Sequence, residues 1–210
     1  MSLLRGECIV VVDTETTGMS PQNGDVLVEV AAVVVEDGQV GEGWSSLVRP
    51  GRLIPPDASR VHGITDAMVA TAPEPRAVAA ALRQRCGEHA VAFHNSPFDL
   101  PFVIALFRHG GTPPLLSPIV DTLGLARGFT GEGGNSLQLL RARYDLPGET
   151  AHRALGDATT TARLLIALAR RWENERGVRS LLELAAISQD IMRQTQRRDA
   201  PTRGRTSVPA

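Results

Sequence analysis

Two valine-rich runs near the start of the chain favour a β-sheet. Residues 7–13 (ECIVVVD) and 26–35 (VLVEVAAVVV) are dominated by β-branched side chains, as strands are. Asp37-Gly38 is a strong signal for a hairpin turn, and the stretch 41–48 (GEGWSSLV) then predicts a third strand. These three strands are therefore expected to form a partly antiparallel sheet.

Farther along the chain, strand-like and helix-like stretches alternate, which is typical of an α/β domain. A buried strand is expected at 89–95 (HAVAFHN), between a helix over 76–86 and another over 97–110. A short strand running into a helix follows at 119–127, and a long helix is expected over 154–173.

The composition excludes several classes of protein. Of the 210 residues, 42% are hydrophobic and 21% are charged, which suits a packed core and argues against wholesale disorder. No apolar run approaches the roughly 18 residues of a membrane span, and the N-terminus lacks the layout of a signal peptide. Two cysteines, Cys8 and Cys86, do not make a disulfide framework. We expect a cytoplasmic protein without a membrane partner.

Charge is distributed unevenly along the chain. All 22 basic residues are arginine and the net charge is −1. Residues 1–176 carry a net charge of −4, whereas 177–210 carry +3. A protein that coats long nucleic acid is normally basic, so this one is expected to hold at most a short stretch or an end. The basic segment predicts an amphipathic helix over 178–196 followed by a disordered tail.

The placement of acidic residues is the most informative chemical feature. Asp13 and Glu15 follow the apolar run of the first strand, and their spacing of two directs both side chains to one face. Two carboxylates at the edge of a core repel each other and are costly to desolvate. Either they are solvated acids at a strand end, or a cation neutralises them.

Two further acids and a histidine lie at predicted element ends. Asp99 begins the helix after a buried strand, and Asp157 lies in the long C-terminal helix. Each would also suit a plain capping or first-turn role. His152 precedes Asp157 by five residues, about 140° around a continuous helix. If both serve one site, His152 must lie on the loop before the helix.

Taken together, these groups suit metal-assisted chemistry on a phosphate. Clustered carboxylates are hard oxygen ligands that favour Mg²⁺ or Mn²⁺ over zinc. Acids that share two such ions support in-line attack on a phosphate. Histidine, with an ordinary pKa near 6.5, is a natural base for the attacking water.

Three motifs resemble those of the DEDDh family of 3′→5′ exonucleases. They are VVDTETTG at 11–18, HNSPFDLPF at 94–102 and HRALGDATTTARL at 152–164, and the similarity extends over about residues 7–172. The resemblance implies an RNase H-like α/β fold, with a mixed sheet flanked by helices. It also implies that residues 1–176 form the exonuclease domain and 177–210 an appended helix and tail.

The resemblance assigns catalytic roles to five residues. It implies that Asp13, Glu15, Asp99 and Asp157 hold two divalent ions, Mg²⁺ or Mn²⁺, and that His152 is the general base. A sister branch has a tyrosine near the fourth acid. Position 153 is an arginine here, which favours the histidine branch.

The resemblance also implies contacts with the substrate. These residues would border the 3′-terminal nucleotide: Thr16, Gly18, Met19, Val61, His62, Asn95 and Phe98. For Met19 and Phe98 the alternative is core packing, and for His62 it is a turn-stabilising role. Asp121 is expected to be a helix cap and not a fifth ligand.

The implied activity is metal-dependent hydrolysis of the 3′-terminal phosphodiester of DNA, releasing nucleoside 5′-monophosphates in proofreading or repair. The expected partner is the 3′ end of single-stranded or frayed nucleic acid, with DNA favoured by similarity to the polymerase-associated branch. One alternative is an exoribonuclease that trims RNA. Another is a subunit that depends on a DNA polymerase or other replication protein and is tethered through 178–210. A phosphatase of the haloacid dehalogenase type is disfavoured, because its lysine cannot exist in a chain without lysine.

Overall fold

A computed structural model describes residues 3–149 and 151–199 and contains a five-stranded sheet. Its strands are β1 (Cys8–Thr16), β2 (Leu27–Glu36), β3 (Gln39–Leu47), β4 (Ala90–Phe93) and β5 (Ile119–Asp121), in the order β3-β2-β1-β4-β5. The β1/β2 and β2/β3 pairs are antiparallel, whereas β4 pairs in parallel with both β1 and β5. The predicted change from an antiparallel to an α/β arrangement is confirmed, and β1 lies at the centre.

The hairpin between β2 and β3 has the expected turn. Asp37 and Gly38 both have positive φ, at 52° and 72°. Two such residues in succession match the twist of the flanking strands, which explains the Asp-Gly pair at this point.

The described residues also form eight α-helices and a short 3-10 helix at Pro21–Asn23. The α-helices are α1 (Pro56–His62), α2 (Asp66–Val69), α3 (Pro75–Cys86), α4 (Ser96–Gly110), α5 (Thr122–Thr130), α6 (Leu137–Arg143), α7 (Ala154–Arg176) and α8 (Leu181–Asp199). Among the described residues, no helix is long and apolar enough to cross a bilayer.

The central strand is buried on both faces, which fixes the direction of each of its side chains. Ile9 and Val11 belong to the core that includes residues of α5, α7 and α8. Val10 and Val12 belong to the core that includes residues of α3 and α4. Because side chains alternate along a strand, later odd-numbered residues of β1 face α7 and even-numbered ones face α4.

Two elements differ in detail from the prediction. Strand β1 extends to Thr16, three residues beyond the predicted end, because pairing with β2 continues through an irregularity between Glu15 and Thr16. Helix α4 begins at Ser96, which places Pro101 inside the helix instead of in its first turn. The helix therefore continues through a residue that has no N–H to donate.

The predicted helix near the C-terminus is present as α8, which packs on α5 and β5. Its residues Leu181, Leu184 and Ala185 join the core on the α7 side of the sheet. The division of the chain at residue 176 stays a prediction. The predicted disordered tail falls mostly on residues 200–210, which lie outside the described part of the chain.

Candidate active site

Three acidic side chains converge at the edge of the core, where β1 meets α7. Asp13 and Glu15 share the face of β1 on which α7 packs, and Asp157 lies in the first turn of α7. Carboxylate oxygens of these three residues lie within 4.8 Å of one another. The spacing of two in β1 and the placement of Asp157 inside a helix therefore bring together acids that are 144 positions apart.

The fourth predicted acid, Asp99, lies beside this cluster but not within the 4.8 Å group. It is buried in the first turn of α4, and its Oδ1 accepts a 2.7 Å hydrogen bond from the Thr14 hydroxyl. Thr14 is the even-numbered residue between Asp13 and Glu15, so it faces α4. Burial raises the pKa of Asp99 to about 7, although the hydrogen bond from Thr14 opposes that rise.

Burial and mutual repulsion both make the cluster costly to ionise. Burial raises the pKa of Glu15 to about 8, and the charge of Asp157 adds to the rise. The pKa of Asp13 is raised well above its usual range by burial first and by Asp99 next. Burial also raises the pKa of Asp157. An oxygen-rich site short of positive charge fits the ligand preference of a hard divalent cation.

His152 lies on the loop immediately before α7, where its backbone has a positive φ of 56°. Its side chain is exposed, and its backbone N–H donates a 2.9 Å hydrogen bond to Asp157 Oδ2. The structure confirms that the histidine precedes the helix and that Asp157 lies inside it. A positive φ is uncommon for a residue with a side chain, so this loop is held in an unusual conformation.

Glu29 also lies against this site, although none of the three sequence motifs contains it. Its buried carboxylate forms an ion pair with the Arg153 guanidinium at 2.8 Å. Glu29 is paired with Glu15 in the β1/β2 register and contributes to the raised pKa of Glu15. The available signal was a lone acid within the otherwise apolar run 26–35.

The loop after β1 is shaped by hydrogen bonds within itself. The Thr16 hydroxyl donates to the Gly18 carbonyl at 2.6 Å, and the Ser20 N–H donates to Asp25 Oδ2 at 3.1 Å. A Cβ at Gly18 would lie 2.4 Å from the Asp25 carboxylate, so this position has no room for a side chain. Next to it, the Met19 side chain is 77% exposed, which excludes core packing for Met19.

Val61 and His62 form the end of α1 and differ in environment. Val61 is exposed, whereas His62 is buried. His62 Nδ1 accepts a 3.0 Å hydrogen bond from the Ile64 N–H, which is the predicted turn-stabilising role. Its Nε2 is buried and has no hydrogen-bond partner among the described residues, and burial lowers the pKa of the ring. Because Nδ1 accepts the hydrogen bond from Ile64, the neutral ring carries its proton on Nε2.

Asn95 and Phe98 lie on either side of the start of α4. Asn95 has a positive φ of 74° and helps to line a cavity of about 390 Å³. Phe98 is half-buried and packs at a tilt on Phe102, with ring centroids 5.6 Å apart. Phe98 therefore has a packing role at the surface of the core.

Asp121 is a helix cap, as predicted, and it caps more than its own helix. Its fully buried carboxylate accepts hydrogen bonds from the Leu123 and Gly124 N–H groups at the start of α5. It also accepts from the Ser96 N–H at 2.7 Å and the Ser96 hydroxyl at 2.8 Å. Asp121 thereby fixes the first turn of α4, which carries Asp99.

Known proteins resemble this chain over most of its length. The family model described as Exonuclease (RNase_T) matches residues 10–165. A DNA polymerase III subunit epsilon-like protein of Rhodobacter capsulatus is 42% identical over 164 residues, which are 76% of this chain and 23% of that protein. The 3′-5′ exonuclease DinG of Bacillus subtilis is 35% identical over 158 residues, 75% of this chain and 17% of that protein. This chain thus spans less than a quarter of either relative.

A solved structure supports the same assignment over nearly the whole of a known protein. Exonuclease X, in complex with 5′ overhanging duplex DNA, is 32% identical, with a TM-score of 0.69 over 86% of this chain and 99% of that one. The predicted RNase H-like fold, a mixed sheet flanked by helices, is confirmed. Together with the family match, this likeness shows that the chain belongs to the exonuclease family that its three sequence motifs indicated.

Proposed function

We propose that this chain is a metal-dependent 3′→5′ exonuclease that removes nucleoside 5′-monophosphates from the 3′ end of DNA. The observation that carries the proposal is the convergence of Asp13, Glu15 and Asp157 within 4.8 Å. Burial raises the pKa of each of these acids, and His152 lies at the same edge of the site. A carboxylate cluster with an adjacent base suits hydrolysis of a phosphodiester.

The metal ligands in this proposal are Asp13, Glu15, Asp99 and Asp157. The first two and the last already share a site, and Asp99 lies beside it, held by Thr14. Two divalent ions, Mg²⁺ or Mn²⁺, would supply positive charge that neutralises these acids and stabilises the developing charge on the attacked phosphate. The oxygen-only donor set supports this class of ion.

His152 is the proposed general base, which accepts the proton of the attacking water at a ring nitrogen. Its side chain is exposed, so it can meet a bound 3′ end without rearrangement of the core. The hydrogen bond from its backbone to Asp157 links the position of the base to that of an acid in the cluster. A base held in place in this way lowers the entropy cost of reaching the reactive geometry.

The proposed contacts with the terminal nucleotide lie in three segments around this edge. The loop after β1, the end of α1 and the start of α4 supply them: Thr16, Gly18, Met19, Val61, His62, Asn95 and Phe98. Met19 and Val61 are exposed apolar side chains that a base can cover. Because Nδ1 of His62 accepts from Ile64, Nε2 carries the ring proton and would donate it to an oxygen of the last nucleotide's sugar-phosphate.

The proposal that DNA is the substrate rests on the proteins that this chain resembles. The similar proteins include a polymerase III epsilon-like protein, and the similar structure was solved with DNA. A DNA polymerase or other replication or repair protein is a proposed partner on the same ground. The partner proposal predicts co-purification with a polymerase. Loss of that association when residues 200–210 are deleted, with α8 left in place, would assign contact to the residues that follow α8.

The first experiment is digestion of 5′-labelled single-stranded DNA and RNA of matched sequence. We expect a ladder that shortens from the 3′ end with Mg²⁺ or Mn²⁺ and that disappears with EDTA or in Asp13→Ala. The His152→Ala protein should lose on the order of 10²–10⁴-fold in rate, as removal of a general base does. Glu175→Gln, which breaks an exposed ion pair with Arg171 at the other end of α7, is the matched control and should digest normally.

Three results would contradict the proposal. Digestion that survives both EDTA and Asp13→Ala would mean that the acid cluster is not the reactive site. Release of the 5′ label as the first product would mean that digestion begins at the 5′ end and not at the 3′ end. Faster digestion of RNA than of DNA would replace the proposed substrate with RNA while keeping the site.

A further inference from the structure

Glu29 is a buried carboxylate whose two oxygens are both occupied by the residues that follow His152. Its side chain is only 3% exposed. Glu29 Oε1 accepts a 2.8 Å hydrogen bond from Arg153 Nη2, and Oε2 accepts from Arg153 Nε at 3.1 Å. Oε2 also accepts a 3.1 Å hydrogen bond from the backbone N–H of Ala154. A forked arginine–carboxylate pair fixes orientation as well as distance.

One of these three hydrogen bonds holds the backbone directly, at Ala154, and the other two hold the side chain of Arg153, which follows His152. On the other side of the same peptide segment, the His152 N–H is bound to Asp157 Oδ2 at 2.9 Å. Between these two attachments His152 keeps a positive φ of 56°. Such a conformation persists only where the surroundings determine it, and strained residues of this kind cluster at functional sites.

The location of Glu29 is unfavourable for a carboxylate that serves stability alone. It is paired directly with Glu15 in the β1/β2 register, where like charges destabilise a sheet. Its charge contributes to the raised pKa values of Asp13 and Glu15, so it makes the proposed metal ligands harder to ionise. Its hydrogen bonds nevertheless all go to one segment outside the sheet, residues 153–154 at the start of α7.

We infer that Glu29 is a positioning residue that fixes His152 for catalysis through Arg153 and Ala154. Glu29 does not touch the substrate in this scheme. Glu29 sets the direction in which the loop enters α7. It therefore also sets where the His152 imidazole meets the attacking water. Arg153, which stands where a sister branch has a tyrosine, takes the role of the connecting side chain. The inference rests on the proposed function, because it assigns His152 as the base.

The test is a kinetic cycle between Glu29→Gln and His152→Ala on 5′-labelled single-stranded DNA. Glutamine preserves volume but cannot satisfy both arms of the arginine fork. We expect Glu29→Gln to lower kcat by about 10–100-fold, as loss of an outer-shell partner does, with little change in KM. In the His152→Ala background the same change should lower kcat by less than about threefold, because the group it positions is already absent.

Two variants separate positioning from loss of folding. Arg153 is 42% exposed, so Arg153→Gln breaks the same pair from the solvent side and should reproduce the loss in kcat. Arg153→Lys keeps the charge without the fork and should restore only part of the activity. Leu168→Ala is the control for stability, since Leu168 is fully buried in α7 about four turns beyond Arg153. It should lower the melting temperature and leave kcat unchanged below that temperature.

The outcomes distinguish this inference from the proposed function. Absence of digestion by the unmodified chain would overturn the proposed function. Normal digestion by the unmodified chain, together with full kcat in Glu29→Gln and in Arg153→Gln, would overturn the inference alone. Equal fractional losses from Glu29→Gln with and without His152 would also overturn it, because the glutamate would then act independently of the histidine.

Discussion

A glycine with no room for a side chain stands at the start of the loop that follows β1. The Thr16 hydroxyl closes this turn on the Gly18 carbonyl, and the Asp25 carboxylate fills the space where a Cβ would lie. The same carboxylate accepts a hydrogen bond from the Ser20 N–H. The loop proposed to receive the 3′ terminus thus packs against the Asp25 carboxylate, which occupies the space that a side chain at residue 18 would need.

Replacement of Gly18 by alanine should disturb binding of the DNA end more than the chemistry. The added methyl group would lie 2.4 Å from the Asp25 carboxylate, so that side chain must shift and disturb its hydrogen bond from the Ser20 N–H. We expect a loss of about 1–3 kcal/mol in the free energy of unfolding, typical of overpacking, and a rise in KM that exceeds any fall in kcat. Urea denaturation and steady-state digestion of single-stranded DNA measure the two effects.

Gly133→Ala is the matched control for this substitution, because a Cβ there would meet nothing within 4 Å. The control should match the unmodified protein in stability and in KM. An unchanged KM in Gly18→Ala, from a protein that digests DNA, would exclude the loop from the binding of the end.

For single residues, the sequence predicts a role where the neighbouring residues determine it. It misses a role that depends on a partner far away in the chain. The shared face of Asp13 and Glu15 follows from strand alternation and is confirmed, as is the cap formed by Asp121. The pairing of Glu29 with Arg153 spans 124 positions and depends on how α7 docks on β2. Nothing in the local sequence specifies that docking.

At the scale of elements, helix α8 supports the edge strand β5, whose last residue, Asp121, holds the start of α4. The Ser188 hydroxyl of α8 accepts a 3.0 Å hydrogen bond from the Asp121 N–H, and the Asp121 carboxylate in turn holds Ser96. Helix α8 lies close against α5 at Gly124, where a Cβ would be 2.3 Å from the Ser188 carbonyl oxygen. This helix therefore belongs to the packed body of the protein, although the family match ends at residue 165.

Gly124→Ala should force α5 and α8 apart. The methyl group would meet a backbone atom, which cannot rotate away as a flexible side chain can. We expect a loss of about 1–3 kcal/mol in the free energy of unfolding, measured by urea denaturation. Leu182→Ala, on the exposed side of α8, should stay within about 0.5 kcal/mol of the unmodified protein. Equal stability of the two variants would mean that α8 is not closely docked.

Element types were easier to predict from the sequence than element ends. Valine-rich runs and an Asp-Gly turn predict β1, β2 and β3, and all three are present. The end of β1 depends on pairing with β2, which continues past the apolar run into residues with weak strand preference. The position of Pro101 within α4 likewise reflects the capping of Ser96 by Asp121, a contact made 25 positions away.

For the whole molecule, the acid cluster makes stability depend on pH in an unusual direction. The pKa of Glu15 rises from 4.5 to about 8 on folding, and that of Asp99 from 3.8 to about 7. Between those limits the folded protein retains protons that the unfolded chain has released. Rising pH therefore favours the unfolded chain over this interval. The free energy of unfolding keeps its full value only below the pKa values that Glu15 and Asp99 have in the unfolded chain.

We expect the melting temperature in EDTA to fall as pH is raised from about 5 to about 8.5. Mg²⁺ or Mn²⁺ should oppose the fall, and its effect should grow with pH because the ligands must lose their protons. Differential scanning fluorimetry without nucleic acid measures both. Glu15→Gln is the control, since it removes one of the shifted groups and should flatten the dependence. A melting temperature in EDTA that rises over this interval would contradict the assigned pKa shifts.

The distance in sequence between the acids has a consequence for synthesis of the chain. Asp13 and Glu15 are made early, whereas Asp157 follows 144 positions after Asp13. At about 5–20 residues per second, the nascent chain lacks the third acid for roughly 7–30 s after the first appears. The cluster is therefore completed only when α7 has emerged from the ribosome and docked on β1. A chain released before that point lacks Asp157 and cannot complete the proposed metal site, so any cutting of nucleic acid there must wait until α7 has been made.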